Sequence, residues 1–302
     1  DGADSVVIQE QVKTVGVNII FPVNISSFQN IRAAGEDIAQ GSLLCPKQKK
    51  LTPADIGLLA AAGITDVLVN RKLNIAFFST GDELMSIGQP PESGKIYDSN
   101  RYALAGLLAD PSYNVSDMGV IADDMQLLED ALKKAAECND VIITTGGASV
   151  GDADYIKDIL ASCGEVKFWK IAIKPGKPLA FGKIGACYFF GLPGNPVSAM
   201  VTFQQIVAPA LNCLSGVAET KPLRIMATCT TNLKKAPGRQ EFQRGILTQD
   251  MDGNFFVAST GHQGSHILSS MSRSNCYIIL PTECRGVKSG EHVWVEPFNA
   301  FL

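Results

Sequence analysis

Hydrophobic and polar positions change their period twice along this chain, which divides it into three stretches. Over 1–71 the apolar runs are short. Val6–Ile8 and Val15–Phe21 read as strands, and Asn30 to Ile38 is polar around Gly35 and reads as a solvated turn. Thr52 followed by Pro53 reads as an N-cap and first helical residue, with a helix to about Ala62 that Gly63 ends. From Lys72 strand-like runs alternate with helical patterns. The strand-like runs are Leu73–Ser79, Ser116–Ile121, Val141–Ile143, Val166–Ile173, Leu179–Phe181 and Cys187–Leu192. The helical ones are Arg101–Asp110, Met125–Glu137, Tyr155–Leu160 and Val197–Leu214, the second with Leu127, Leu128, Ala131 and Leu132 on one stripe. Such alternation predicts a parallel sheet held between helices. Beyond Glu219 the helical period is gone. Arg224–Thr231, Glu241–Leu247, Phe255–Thr260, Cys276–Leu280 and Val293–Val295 are short runs bounded by turn residues. The expected class is therefore α/β: a central three-layer domain with a mostly parallel sheet over 72–218, a partial mixed β-rich N-terminal domain over 1–71, and a small antiparallel, barrel-like β domain over 219–302.

Composition narrows this picture a little. A chain of 302 residues suits about two or three domains. The net charge of -4 argues against nucleic acid as the main partner. No apolar run reaches the roughly 18 residues of a membrane span, and no leader pattern is visible at the start. The eight cysteines are scattered without a C-x-x-C pair, several of them in apolar runs, which suits buried reduced thiols in a cytoplasmic protein. The sequence begins at Asp1 without Met and enters an apolar run at once, as a piece of a longer chain would.

The densest chemistry lies between Asp140 and Tyr155. An apolar strand runs into Thr144-Thr145-Gly146-Gly147-Ala148-Ser149-Val150-Gly151, then Asp152 and Asp154, then a helix. A Gly-rich turn at a helix N-terminus offers unpaired N–H groups to an anion, and Thr145 and Ser149 add hydroxyls. The spacing matches neither the dinucleotide fingerprint nor the phosphate-binding P-loop. Other polar clusters follow other strands: Glu83, Asp98-Ser99-Asn100, Asp123, Pro193-Gly194-Asn195-Pro196, and the lysines 170, 174 and 177. In an open parallel sheet ligands bind beyond the carboxyl ends of the strands, so these clusters are expected on one rim. Lysines with free amides suit phosphate or another oxyanion, and carboxylates beside them suit a hard divalent cation, Mg²⁺ foremost, with Glu83, Asp123 and Asp154 as ligands. His262 and His266 do not read as a zinc pair, since Gln263-Gly264-Ser265 between them is not helical and no third ligand is near.

Seven stretches together resemble the molybdopterin molybdotransferase family, the MoeA and gephyrin E-domain proteins. They are FSTGDEL (78–84), IYDSNR (96–101), GGASVGDADY (146–155), KIAIKPGKP (170–178), GLPGNPVSA (191–199), PGRQEFQRG (237–245) and TGHQGSHIL (260–268), and the pattern is nearer the bacterial than the animal members. The resemblance implies an enzyme that takes adenylylated molybdopterin and molybdate and releases molybdenum cofactor and AMP in a divalent-metal-dependent step. It implies functional acids at Asp37, Glu83, Asp123 and Asp154, basic residues at Arg32, Lys170, Lys174 and Arg244, and loop residues at Pro193, Pro196 and Ser265. It also implies a homodimer, with the adenylyltransferase that supplies the substrate as a further partner. The family's N-terminal DGYA segment has no counterpart in this sequence. Two other readings compete: a non-catalytic scaffold that binds a partner peptide, and a phosphate- or nucleotide-binding module with unrelated chemistry. A scaffold has no need of the full set of acids.

Overall fold

The computed structural model describes residues 2–146, 156, 158–159 and 164–298. The chain divides into two units, Asp1–Leu68 and Val69–Leu302.

In the first unit, β1 (Lys13–Val15) and β2 (Asn18–Ile20) form a hairpin around Gly16-Val17, so Val15–Phe21 is two strands and a turn rather than one strand. Val6–Ile8 forms no strand. The Val6 N–H donates to the Gln29 carbonyl at 2.9 Å and the Val6 carbonyl accepts from Asn30 Nδ2 at 2.8 Å, but no ladder forms between these segments. Helix α1 (Pro53–Ala61) starts as expected. Thr52 accepts from the Asp55 N–H, and Asp55 accepts from the Thr52 N–H at 2.8 Å, a reciprocal cap that satisfies two donors.

The second unit carries two six-stranded sheets. The first contains β3 (Leu73–Thr80), β6 (Tyr113–Ile121), β7 (Val141–Thr145), β8 (Gly164–Lys170), β10 (Pro178–Ile184) and β11 (Cys187–Leu192), in the order β6-β3-β7-β11-β10-β8. A small parallel pair, β4 (Leu84–Met85) and β5 (Ile96–Tyr97), follows β3. The pairs β6–β3, β3–β7 and β7–β11 are parallel, whereas β10 runs against both its neighbours. The two-residue turn Gly185-Ala186 is too short for a parallel crossover, which takes a dozen residues or more.

Alternation along these strands sorts the core into two layers. Ile75, Phe77, Val141, Ile143 and Phe190 face α2 (Ser99–Leu107) and the helix beginning at Pro196, through Leu104, Ala199, Phe203 and Leu211. Ala76, Phe78, Ile142, Ala180 and Phe189 face α3 (Met125–Cys138) and Ile156 and Ile159. This is the expected three-layer arrangement. Ile142 is fully buried in the second layer, so Ile142→Val, which deletes one methylene, is expected to cost about 0.5–1.5 kcal/mol in urea unfolding.

At the amino edge of this sheet Arg71 makes a two-pronged ion pair with Asp140, 2.6 Å to each oxygen, and Asp140 also accepts from the Asn74 N–H at 2.9 Å. The Arg71 hydrogen bond holds the Asp140 carboxyl below its ordinary value of 3.8. A depressed carboxylate stabilises the fold above its unfolded value and loses that contribution as pH falls through the folded one. Acid titration of stability is therefore expected to separate wild type from Asp140→Asn at neutral pH and to bring the two curves together below pH 3.8.

From Pro196 to Leu214 the chain is helical, with a π turn at Phe203–Val207 between the α segments Pro196–Thr202 and Ala208–Leu214. It is long and apolar enough to cross a membrane by length and composition alone. Here its buried residues Val197, Ala199, Val201, Val207 and Leu211 pack within the protein.

The second sheet holds β12 (Ile225–Cys229), β13 (Gln240–Gln249), β14 (Phe255–Ser259), β15 (Cys276–Leu280) and β16 (His292–Pro297), closed into a barrel because β14 pairs with both β12 and β13. Five strands cannot alternate in direction all the way round a closed ring, and the one parallel pair is β12–β14. Val257, Cys276, Ile278, Leu280 and Val295 fill the interior. Burial pushes the Cys276 thiol up to about 12, so it stays protonated. On the outside, Phe242, Tyr277 and Ile279 pack against Val197 and Val201 of the Pro196–Thr202 helix. The sixth strand, β9 (Ile173–Lys174), is a correction to the expected run Val166–Ile173. That run ends at Lys170, and Ile173–Lys174 joins β13 of the barrel instead. A short helix, Leu268–Arg273, which the sequence reading missed, lies between β14 and β15.

Candidate functional site

Strand directions decide where the polar clusters meet. β3, β6, β7 and β11 are parallel, so Gly81-Asp82-Glu83, Asp123, Gly146 and Pro193-Gly194-Asn195 all lie at their carboxyl ends. β8 is antiparallel to an antiparallel strand, and Lys170 pairs with Pro178 while Ala180 pairs with Gly191, so Lys170 falls on the same edge. The strand order reverses at β3 and β7: the chain leaves β3 for β6 on one side and returns to β7 on the other. That switch point is where a crevice opens in such sheets.

The two strand ends at the crevice are fitted closely. Ser79 and Thr145, side by side in register, share a hydrogen bond of 2.9 Å. Gly146 follows with φ +86°, and a Cβ there would press into the Thr80 carbonyl oxygen. The Thr80 hydroxyl donates to Asp123 Oδ1, and the Asp123 N–H donates to Asp82 Oδ1 at 3.2 Å. Asp123 is thus oriented from β3, while Glu83 stays exposed with its carboxylate folded back over Gly81. Thr80 and Asp82 were not singled out in the sequence. A hydroxyl at a strand end beside two acid-bearing loops was the available signal.

The Pro193–Asn195 loop is held from two sides. Asn100, in the first turn of α2, donates from Nδ2 to the Gly194 carbonyl at 2.7 Å. Asp98 caps α2 by accepting from the Arg101 N–H at 3.1 Å. Asp98 Oδ2 and Asn100 Oδ1 are buried acceptors with no donor among the described residues, while Ser99 is exposed. From the barrel, the Ser265 carbonyl accepts the Val197 N–H at 3.1 Å, just inside the helix that begins at Pro196.

Arg244 lies elsewhere than an open anion contact would. It is 1% exposed in β13, and its guanidinium donates to Ser270 Oγ at 2.9 Å and to the Gly264 carbonyl at 3.0 Å. Burial lowers it to about 10. In this position it braces the loop that presents Ser265, because the turn carbonyls there need donors.

The lysines occupy the other end of the rim. Lys170 and Lys177 are exposed, and Lys174 pairs with Glu241 at 3.1 Å. Glu241 was also missed, although an acid inside an apolar strand asks for a partner. With strands about 4.8 Å apart, Lys170 stands three strands, about 14 Å, from Gly146, and about 19 Å from Glu83. The rim thus has an acidic end and a basic end. Arg32 and Asp37 belong to the first unit, where both are exposed. Gly147, Ser149 and Asp154 lie outside the described residues. Among the described residues no three of His, Cys, Asp and Glu gather as a metal site. Glu83 and Asp123 follow the adjacent strands β3 and β6, and one or two carboxylates together with phosphate oxygens and water are what a Mg²⁺ site commonly uses.

Comparison with known proteins agrees along the whole chain. Residues 1–63 match the MoeA N-terminal region (domains I and II), 76–212 a probable molybdopterin binding domain, and 226–298 the MoeA C-terminal region (domain IV). The molybdopterin molybdenumtransferase of Haemophilus influenzae is 45% identical over 304 residues, covering 100% of this chain and 75% of that protein. Gephyrin of Dictyostelium discoideum is 34% identical over 97% of this chain, which spans 46% of that longer protein. The crystal structure of a molybdopterin biosynthesis MoeA protein from Pyrococcus horikoshii superposes with a TM-score of 0.77 at 30% identity, covering 99% of this chain and 73% of that one. The chain belongs to the molybdopterin molybdenumtransferase (MoeA) family and is a transferase of molybdenum cofactor biosynthesis.

Proposed function

We propose that this transferase inserts molybdate into adenylylated molybdopterin and releases AMP, with Mg²⁺ or another divalent cation required. The observation that carries this reading is the single rim with unlike ends. The reaction brings together two anions, a phosphoanhydride and an oxyanion, and the rim offers a separate anion-holding device for each.

At the acidic end, the divalent cation would be held by Glu83 and Asp123, with Asp154 as the third expected acid. When bound it supplies positive charge against the negative charge that builds on the departing AMP. The Gly146 turn adds amide donors for phosphate oxygens. The Thr80 hydroxyl and Asp82 keep Asp123 in one orientation, so little reorganisation is needed as charge develops. At the basic end, Lys170 and Lys174, with Lys177 beside them, attract molybdate and hold it by charge-assisted hydrogen bonds. Asp98 and Asn100 act on this reading by placing α2 and the Pro193–Asn195 loop, Asn100 through its 2.7 Å bond to the Gly194 carbonyl.

On this reading the protein acts as a homodimer. The substrate comes from the adenylyltransferase, by direct transfer or from solution. The test is turnover: AMP release from adenylylated molybdopterin should require both molybdate and a divalent cation. Tight binding of the adenylylated pterin with no AMP release under any of these conditions would favour a gephyrin-like scaffold instead.

A further inference from the structure

Glu241 is a buried acid bonded to one of the rim lysines. It is 4% exposed, and its two oxygens are divided between two donors. Oε1 accepts from Lys174 Nζ at 3.1 Å and Oε2 from Gln243 Nε2 at 3.0 Å. Gln243 is itself anchored by the Lys234 carbonyl at 3.0 Å. The backbone enforces the same pairing. Lys174 and Glu241 are register partners in the parallel pair β9–β13, and the Gln240 N–H donates to the Ala172 carbonyl at 2.9 Å. The Lys174 side chain, by contrast, is 45% exposed.

This asymmetry has a physical consequence. A carboxylate out of water is costly unless a cation and full hydrogen bonding accompany it, so Glu241 pulls strongly on the ammonium. A half-exposed lysine stem has several rotatable bonds and would otherwise sample many positions. The ammonium has three N–H donors, and fixing one fixes the directions of the other two. An ion pair of this kind adds little stability over well-packed apolar residues, so stability alone is a weak reason for an acid here. The geometry points to Glu241 as a positioning residue that holds Lys174 at the basic end of the rim, aimed at an oxyanion. The barrel thereby reaches into the site without touching substrate through Glu241 itself. The inference rests on the reading of Lys174 as a molybdate contact.

The test varies molybdate for wild type, Glu241→Gln, Glu241→Ala, Lys174→Ala and the double variant Glu241→Ala/Lys174→Ala, measuring KM, kcat and direct molybdate binding by calorimetry. Glu241→Gln, the same size as Glu, is expected to raise KM for molybdate about tenfold with kcat little changed. The double variant should be no worse than Lys174→Ala alone, the non-additivity expected of residues that act as a unit. An equal loss from Glu241→Ala with and without Lys174 would overturn the proposal, because the acid would then act through the barrel at large. So would an unchanged KM in both Glu241 variants beside an impaired Lys174→Ala. If Lys174→Ala leaves KM unchanged, the reading of Lys174 itself fails, a result distinct from the other two.

Discussion

Glu83→Gln is expected to lower turnover by about 10²–10³-fold while leaving the affinity for adenylylated molybdopterin within about twofold. The amide keeps the size of the side chain and most of its hydrogen bonds but not its charge. Glu83 is exposed at the carboxyl end of β3, and its carboxylate lies over Gly81, in no ion pair among the described residues. Its removal should therefore leave the fold intact. On the proposed reading ligand grip is shared between the Gly146 turn and the lysines, so binding should survive the loss of one acid. On the proposed reading the charge that offsets the departing AMP is concentrated in the cation, and a site short of one carboxylate would hold that cation less well. Raising the divalent ion concentration should accordingly restore part of the Glu83→Gln rate. Lost affinity with normal chemistry on whatever ligand still binds would remove Glu83 from this role.

The second large effect belongs to Gly146→Ala, which should destabilise the protein by about 2–6 kcal/mol and reduce turnover by more than about a hundredfold. Two costs add. The first is backbone strain, since φ is +86° and an L side chain rarely adopts it. The second is steric, because the new methyl would meet the Thr80 carbonyl oxygen and, at 3.3 Å, the Thr80 carbonyl carbon. Relief requires β3 and β7 to part where Ser79 and Thr145 are bonded, and Thr80 carries the hydroxyl that orients Asp123. Gly253→Ala is the control. It shares the positive φ, +88°, but its Cβ would meet nothing nearer than Gln249 Nε2 at 3.8 Å. Chemical denaturation of the two variants separates strain from collision, and turnover should fall only for Gly146→Ala.

Much of the central domain was legible because its strands obey simple alternation. Ile75, Phe77, Ile143 and Phe190 point one way, and Ala76, Phe78, Ile142 and Phe189 the other. The acids were legible because strand ends are where an open sheet binds ligands, and Glu83 and Asp123 follow strands. Three features were not read, for different physical reasons. The direction of β10 was written in the short Gly185-Ala186 turn, a signal present but unused. The place of Lys174 was not written locally: Ile173–Lys174 continues an apolar run, and only its pairing with Gln240–Glu241, far along the chain, moves it into the barrel. Arg244 is one of the basic residues the resemblance implies, and its burial was not foreseen because arginine is rarely buried without an acid. Its burial follows from the turn carbonyls of Gly264 and His262, which no sequence period announces. Val6–Ile8 failed in the opposite sense, as strand-forming residues that pair in no strand among the described residues.

The central claim is that the two substrates together occupy both ends of a single rim, and hydrogen exchange measured with and without adenylylated molybdopterin, molybdate and Mg²⁺ tests it most directly. The expected result is joint protection of the loops after β3, β6 and β11 together with 170–178 and 260–267, at ligand concentrations that saturate binding. Protection confined to one end, or falling on surfaces away from this rim while the ligands are fully bound, would contradict it.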